Sequence, residues 1–359
     1  MDEKSLETLA RTLGYDEWNQ EHYAEYITDG FSPARIIEVN KNSYMVSDGV
    51  HEMPAELSGK FMFDAEDAVD LPTVGDWVVI QAFDNFTLAI VHSVLPRKTL
   101  LKRKEPGRRV DFQLIASNID FGLVVQSADR PNANLLDRYF VMLNDSGIEP
   151  IAVFSKIDLL SPQEKAALTD GLSRLKSRYL LISNNTGTGV EELSNSLIPG
   201  KTYCLLGQSG VGKTTLLNNL LGTEMFTVNE VRQKDGKGRH TTVRRQLIRL
   251  DSGIIFIDTP GVRELGNFEI EDGLDQTFDE FSSYARKCRF GDCTHTHEDG
   301  CAIKEAVKNG DIEESRYRNY LKLRKESEFY ETLYHEKRKK DKAFGKMLKD
   351  YKKQKKNFE

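Results

Sequence analysis

At 359 residues, 39% hydrophobic and 30% charged, the chain exceeds what one ordinary core organises, so two or three domains are expected. No apolar run approaches the roughly 18 residues of a membrane span, and Met1-Asp-Glu-Lys-Ser-Leu-Glu lacks the basic-then-apolar order of a secretory signal. The composition therefore predicts a soluble, cytoplasmic protein without a membrane partner. The formal net charge of −6 alone argues against a nucleic-acid partner, yet the charge is uneven. Arg97, Lys98, Lys102, Arg103, Lys104, Arg108 and Arg109 face only Glu105, and the stretch from Lys337 to Lys356 faces only Asp341 and Asp350. Such clustering lets an acidic chain keep a polyanion-binding face.

In chain order, residues 1–32 form an N-terminal extension with helical spacing (Leu6, Leu9, Leu13) and no motif. From 33 to 97 short alternating strands are predicted at 34–39, 43–46, 76–81 and 88–91. Strands at this spacing point to a small barrel, of which the five-stranded oligonucleotide-binding (OB) type is one form. A basic linker follows over 98–112. Between 113 and 270 apolar strands alternate with helices: strands at 121–126, 151–154, 179–182, 203–206, 247–250 and 254–257, helices at 135–144, 162–176 and 213–221. That grammar predicts an α/β layer around a parallel sheet. Residues 271–330 read as a helical module with a Cys/His cluster, and 331–359 as a basic helical tail.

The glycine loop Gly207-Gln208-Ser209-Gly210-Val211-Gly212-Lys213-Thr214-Thr215 lies between an apolar strand and a helix start. This is the phosphate-binding pattern in the context it requires. Glycines let successive N–H groups turn inward at the positive helix end, Lys213 can reach the β- and γ-phosphates, and Thr214 can hold Mg²⁺. Asp258-Thr-Pro-Gly261 ends a strand 45 residues after Lys213, where a nucleotide hydrolase places a magnesium-shell carboxylate and a γ-phosphate sensor. Ser155-Lys156-Ile157-Asp158 resembles the guanine-reading NKxD motif. Asp158 can accept from both N1–H and the exocyclic amine of guanine, a donor pair adenine lacks, and the Lys156 stem can pack along the base. With Ser in place of Asn, one bridging hydrogen bond should be shortened or lost, weakening nucleotide binding without changing base choice. Ile182-Ser183-Asn-Asn-Thr-Gly187 occupies the place of the last guanine-contacting loop, with Ser183 its candidate contact.

In conventional GTPases the guanine motif comes last; here it precedes the phosphate loop, so the domain is circularly permuted. With Gly238-Arg-His240-Thr241-Thr242 as first switch, Asp258 to Gly261 as second, a barrel before and a Cys/His module after, the chain resembles the RsgA (YjeQ) GTPases over residues 33–325. The resemblance implies an OB-type barrel, a permuted P-loop GTPase domain and an α-helical zinc-binding domain. It also implies a GTPase stimulated by the 30S ribosomal subunit, binding rRNA during late subunit maturation and cycling between GTP and GDP; a monomer is expected.

Cys288-x4-Cys293-x-His295-x5-Cys301 supplies a Cys₃His set, sufficient for one closed, structural Zn²⁺. His297 competes for the histidine position, and the resemblance assigns it to His295. Three of the four cysteines fall in this cluster. Val262 stands where Ras-type enzymes keep a water-orienting glutamine, which makes His240, beside Thr241 and Thr242, the candidate group for hydrolysis. The chain runs from Gly261 directly into the Cys/His module, so loss of the γ-phosphate could pull on a domain touching RNA. The competing readings are a nucleotide-regulated RNA-binding module with incidental hydrolysis, and a P-loop ATPase or kinase, which Asp158 opposes.

Overall fold

A computed structural model describes residues 12–26, 30–40, 43–65, 67–104, 112–172, 177–222, 245–258 and 273–328. Helix α1 (Glu17–Tyr23) starts at Asp16, whose side chain caps the Asn19 N–H. It precedes strands β1 (Ser32–Val39), β2 (Tyr44–Ser47), β3 (Glu52–Leu57), β4 (Trp77–Phe83) and β5 (Leu88–Val94), with helix α2 (Gly59–Asp64) between β3 and β4. The ladders run β1-β2-β3-β5-β4, and β4 pairs back onto β1, closing a five-stranded barrel. The β3–β5 ladder is parallel, with Ala55 opposite Ala89. Closure demands strand bending, and β1 supplies it at a register shift between Ile36 and Glu38.

Alternation along the strands separates two faces. Ala34, Ile36, Val46, Met53, Ala55, Val78, Ile80, Ala89 and Val91 fill the barrel core. Trp77 and Val79, on the opposite face of β4, pack with Leu95 against Leu13, Tyr15 and Tyr23. The stretch from Leu13 to Tyr23, which carries no motif, thus covers this face of the barrel. Strand β3 was not expected because Pro54 interrupts its pattern; Pro54 is exposed and sits opposite Met45.

The expected linker is partly structured: β6 (Leu100–Lys104) pairs with β7 (Phe112–Ser117). Arg97, expected among the phosphate-contacting cations, is instead spent on the fold. It makes two 2.8 Å contacts to the fully buried Asp76 and donates to the carbonyls of Val69 (2.6 Å) and Leu71 (2.8 Å). Lys98 pairs with Asp16.

The α/β part comprises β8 (Phe121–Ser127), α3 (Ala133–Asp145), β9 (Glu149–Ser155), α4 (Pro162–Leu172), β10 (Tyr179–Leu181), α5 (Val190–Ser196), β11 (Thr202–Leu206), α6 (Lys213–Leu221), β12 (Arg245–Arg249) and β13 (Ile255–Asp258). Sheet order is β10-β9-β8-β11-β13-β12. All its ladders are parallel except β12–β13. Strand β12 also pairs with β1, Val39 opposite Arg245, so barrel and sheet share one hydrogen-bonded ladder. They form one compact unit; the C-terminal helices form a second. In that second unit α7 (Gly273–Thr277), α8 (Asp279–Ala285), α9 (Ala302–Asn309) and a helix over 314–328 surround the aromatic group Phe278, Phe281 and Tyr320. The Arg316 guanidinium lies 4.6 Å from the Phe278 ring centre.

Candidate functional site

Parallel strands present their C-terminal ends along one edge. Here β9, β10, β11 and β13 carry Ser155–Asp158, Ser183–Gly187, the glycine loop and Asp258 to that edge, although these segments are far apart in the chain. The loop leaves β11 at Gly207, where φ is +136° and an added Cβ would sit 2.2 Å from the Val125 carbonyl oxygen. No L side chain fits that combination. Gly212, at φ +93°, caps α6. Lys213 Nζ donates to the carbonyls of Gly207 and Gln208, both at 2.6 Å, which holds the ammonium over its own loop. Gln208, Ser209 and Gly210 are exposed, Val211 is buried, and Thr214 and Thr215 are half-buried in the first turn of α6. Asp258 is the last residue of β13, opposite Gln246. Backbone N–H groups at a helix start, with one lysine beside them, can receive a polyphosphate.

Ser155 ends β9 fully buried, and its hydroxyl donates to the Val211 carbonyl at 2.6 Å, with the Gln126 carbonyl 3.1 Å away. The serine therefore makes a bridge to the phosphate loop that was expected to be weakened by the loss of asparagine. Lys156 follows in the left-handed region at φ +61°, turning the chain so that Ile157 is buried and Asp158 exposed. The Ile157 N–H donates to the Ile182 carbonyl (3.2 Å), tying this turn to the end of β10. Asp158 accepts from the Ser183 hydroxyl on Oδ1 (2.5 Å) and from Asn185 Nδ2 on Oδ2 (3.3 Å). The Ser183 hydroxyl, ahead of the Asn185 amide and the nearby Lys156 charge, holds the Asp158 carboxyl below its ordinary range. A carboxylate fixed in plane and kept ionised can accept two donors from one base edge. His240, Thr241, Thr242 and Gly261 lie outside the described residues.

In the second unit Cys288, Cys293, His295 and Cys301 bring one ligand atom each to within 4.8 Å of one another. His295 Nδ1 lies 3.6 Å from both Cys288 Sγ and Cys301 Sγ. Tetrahedral coordination with metal–sulfur bonds of about 2.3 Å and metal–nitrogen bonds of about 2.05 Å requires a separation of about 3.6 Å, so the residues fit such an ion. His297 does not join them; it is exposed and its Nδ1 contacts Thr296 Oγ1 at 2.8 Å. His295 points inward because it adopts φ +64°, and its carbonyl accepts from Tyr317 Oη at 2.6 Å. Glu298 fastens the loop by accepting from the N–H groups of Thr294, Thr296 and His297. Burial pushes the Cys293 thiol up to about 11, and burial ahead of the Arg324 charge lowers the His295 imidazole, favouring the neutral, ligating form. A bound cation reverses the thiol shift. Cys204 stands apart, fully buried in β11, with its thiol raised to about 12 by burial.

Two site residues escaped sequence reading. Asn184 Nδ2 donates to the Gly212 carbonyl (3.0 Å), and Asn185 donates to Asp158. Both lie in the recognised loop, but nothing local distinguishes them from ordinary turn asparagines.

A phosphate loop on a central parallel strand, with a base-side carboxylate from an earlier strand on the same edge, defines a circularly permuted P-loop nucleotide hydrolase. Residues 94–268 match the RsgA GTPase family. A Bacteroides thetaiotaomicron protein named small ribosomal subunit biogenesis GTPase RsgA 1 is 38% identical, covering 91% of this chain and 92% of its own. A Leptospira interrogans protein named small ribosomal subunit biogenesis GTPase RsgA is 37% identical, covering 92% and 94%. The crystal structure of YjeQ from Thermotoga maritima superposes with a TM-score of 0.63 at 29% identity, covering 83% of this chain and 98% of that one. YloQ, described as a circularly permuted GTPase, shares the fold with a TM-score of 0.61 at 24% identity, covering 84% and 97%. The chain belongs to the RsgA GTPase family and is a GTP-hydrolysing enzyme.

Proposed function

We propose that the chain acts in late maturation of the small ribosomal subunit, binding its rRNA in the cytoplasm and hydrolysing GTP to GDP with ribosome-stimulated turnover. The observation that carries the GTP reading is Asp158, held by Ser183 and Asn185 on the same edge as the glycine loop. The ribosomal part rests on the names of its relatives. Asp158 reads the guanine edge and Lys156 packs along the base, with Ser183 fixing the carboxylate. Gly207 to Thr215 cradle the phosphates, and Lys213 offsets their charge. Thr214 and Asp258 would hold Mg²⁺, which neutralises charge on the β- and γ-phosphates. Thr241, Thr242 and Gly261 would respond to the γ-phosphate, and His240 would align the attacking water, directly or when docked on rRNA. The Cys₃His ligands would hold one structural Zn²⁺, and the chain works as a monomer.

The test is GTP turnover with and without purified 30S subunits. Strong stimulation by 30S and none by 50S is expected; equal rates in all three conditions would sink the ribosomal assignment. In the same assay, His240→Ala with full stimulated turnover would remove His240 from the mechanism. Coupling through the chain from Gly261 predicts different hydrogen exchange over 275–310 with a GTP analogue and with GDP, and identical protection refutes it.

A further inference from the structure

Two successive carbonyls of the phosphate loop are held from the base side. Ser155 Oγ donates to Val211 O at 2.6 Å, and Asn184 Nδ2 donates to Gly212 O at 3.0 Å. Because the peptide unit is planar and trans, a carbonyl and the following N–H point in opposite directions. Holding Val211 O therefore aims the Gly212 N–H, and holding Gly212 O aims the Lys213 N–H, away from the base-side loops. Those are the first N–H groups of α6, the ones free to meet a phosphate.

The amide of Asn184 is itself oriented. Asn219, at the end of the second turn of α6, donates through Nδ2 to Asn184 O (3.2 Å) and Asn184 Oδ1 (3.3 Å). With a donor facing its oxygen and a carbonyl facing its nitrogen, the side chain has one consistent orientation. Gly212 O also accepts the first helical bond, from the Leu216 N–H at 2.9 Å, so Asn184 uses the second lone pair and costs the helix nothing. The fit is close: an added Cβ at Gly212 would stand 2.8 Å from Asn184 Nδ2.

We propose that Asn184 is a positioning residue for the phosphate grip: it aims the Lys213 N–H at the β-phosphate and links the base-side loop to the start of α6. The inference rests on the guanine-nucleotide reading above and deepens it. It differs from the role of Asp158, since the Asn184 side chain is directed at the phosphate loop.

The experiment is competition of GDP, GTP and ATP against a fluorescent guanine nucleotide on the full chain. In Asn184→Ala, affinity for GDP and for GTP should each fall about three- to tenfold, the worth of one neutral hydrogen bond, with the preference over ATP unchanged. Asn184→Asp turns an acceptor toward Gly212 O and should lose more. Asn219→Ala, which frees the Asn184 amide without shortening it, should lose affinity in the same pattern and serves if Asn184→Ala does not fold. Wild-type affinity for GDP in both Asn184→Ala and Asn219→Ala, or a lost preference for guanine, overturns the proposal. If the unaltered chain binds ATP as well as GTP, the guanine reading fails first and takes this inference with it.

Discussion

Arg35 is fully buried, yet its hydrogen-bond partners are carbonyls rather than carboxylates. Its Nε donates to Gly75 O (3.1 Å), Nη1 to Leu13 O (2.6 Å) and Nη2 to Asn118 O (3.1 Å). One guanidinium thus joins the N-terminal segment, the barrel and the entry to β8. Burial lowers its pKa from 12.5 to about 10, with Asp120, Asp76 and Asp16 opposing from a distance. A base with a lowered folded pKa carries its penalty at every pH below that value, here roughly 3 kcal/mol at neutral pH. Three hydrogen bonds from a charged donor contribute about 1.5–3 kcal/mol each, so their sum exceeds the penalty. Arg35→Met removes both terms and should destabilise by roughly 2–6 kcal/mol; the Gly75 carbonyl keeps its bond from Asn118 Nδ2 at 3.1 Å, but those of Leu13 and Asn118 lose their guanidinium donor. Arg35→Lys keeps a buried charge that can reach fewer of these carbonyls, and should be no more stable than Arg35→Met. Urea unfolding followed by fluorescence measures both, with faster proteolysis near Leu13 as a local readout. Lysine tolerated at wild-type stability would refute the three-way reading of Arg35.

Further expectations concern the two sites. Metal analysis should find one zinc per chain, lost in Cys301→Ser and retained in His297→Ala, because His295 rather than His297 faces the sulfurs; metal loss in His297→Ala would contradict this ligand set. Asp158→Asn should weaken GTP by at least about a hundredfold, since two hydrogen bonds to a charged acceptor are lost, and xanthine nucleotides should recover binding in a competition assay. The lowered Asp158 pKa has a signed consequence: the group stays ionised as pH falls to 5, so its contribution to GDP affinity is constant there and disappears only below the ordinary carboxylate range. Ser183→Ala, measured by titration calorimetry, should move that loss to higher pH. Gly207→Ala should abolish nucleotide binding, because its Cβ would collide with the Val125 carbonyl at 2.2 Å; retained affinity would mean the loop entry is more pliable than its geometry implies.

The glycine loop, the Asp158 turn and the alternation of strands and helices were legible because they are local requirements on the backbone. Gly207 and Gly212 occupy conformations that favour glycine, and a strand-to-helix switch must surround them. Strand β3 was missed because Pro54 masks its alternation, and Arg97 was misplaced among free cations because its partner Asp76 lies 21 residues earlier, on the barrel. The choice of His295 over His297 was open to spacing alone; the left-handed turn at His295 resolves it by directing that imidazole toward the cysteines.

By itself the sequence determined that this is a permuted P-loop protein with a guanine-type motif and a Cys₃His cluster, since motif order and residue chemistry need no third dimension. Only the tertiary structure decided that Ser155 and Asn184 hold neighbouring carbonyls of the phosphate loop, and that Arg35 closes three segments together. Those are contacts between residues 22 to 83 positions apart, and a hydrogen-bond partner that distant leaves no period or spacing in the chain that makes it.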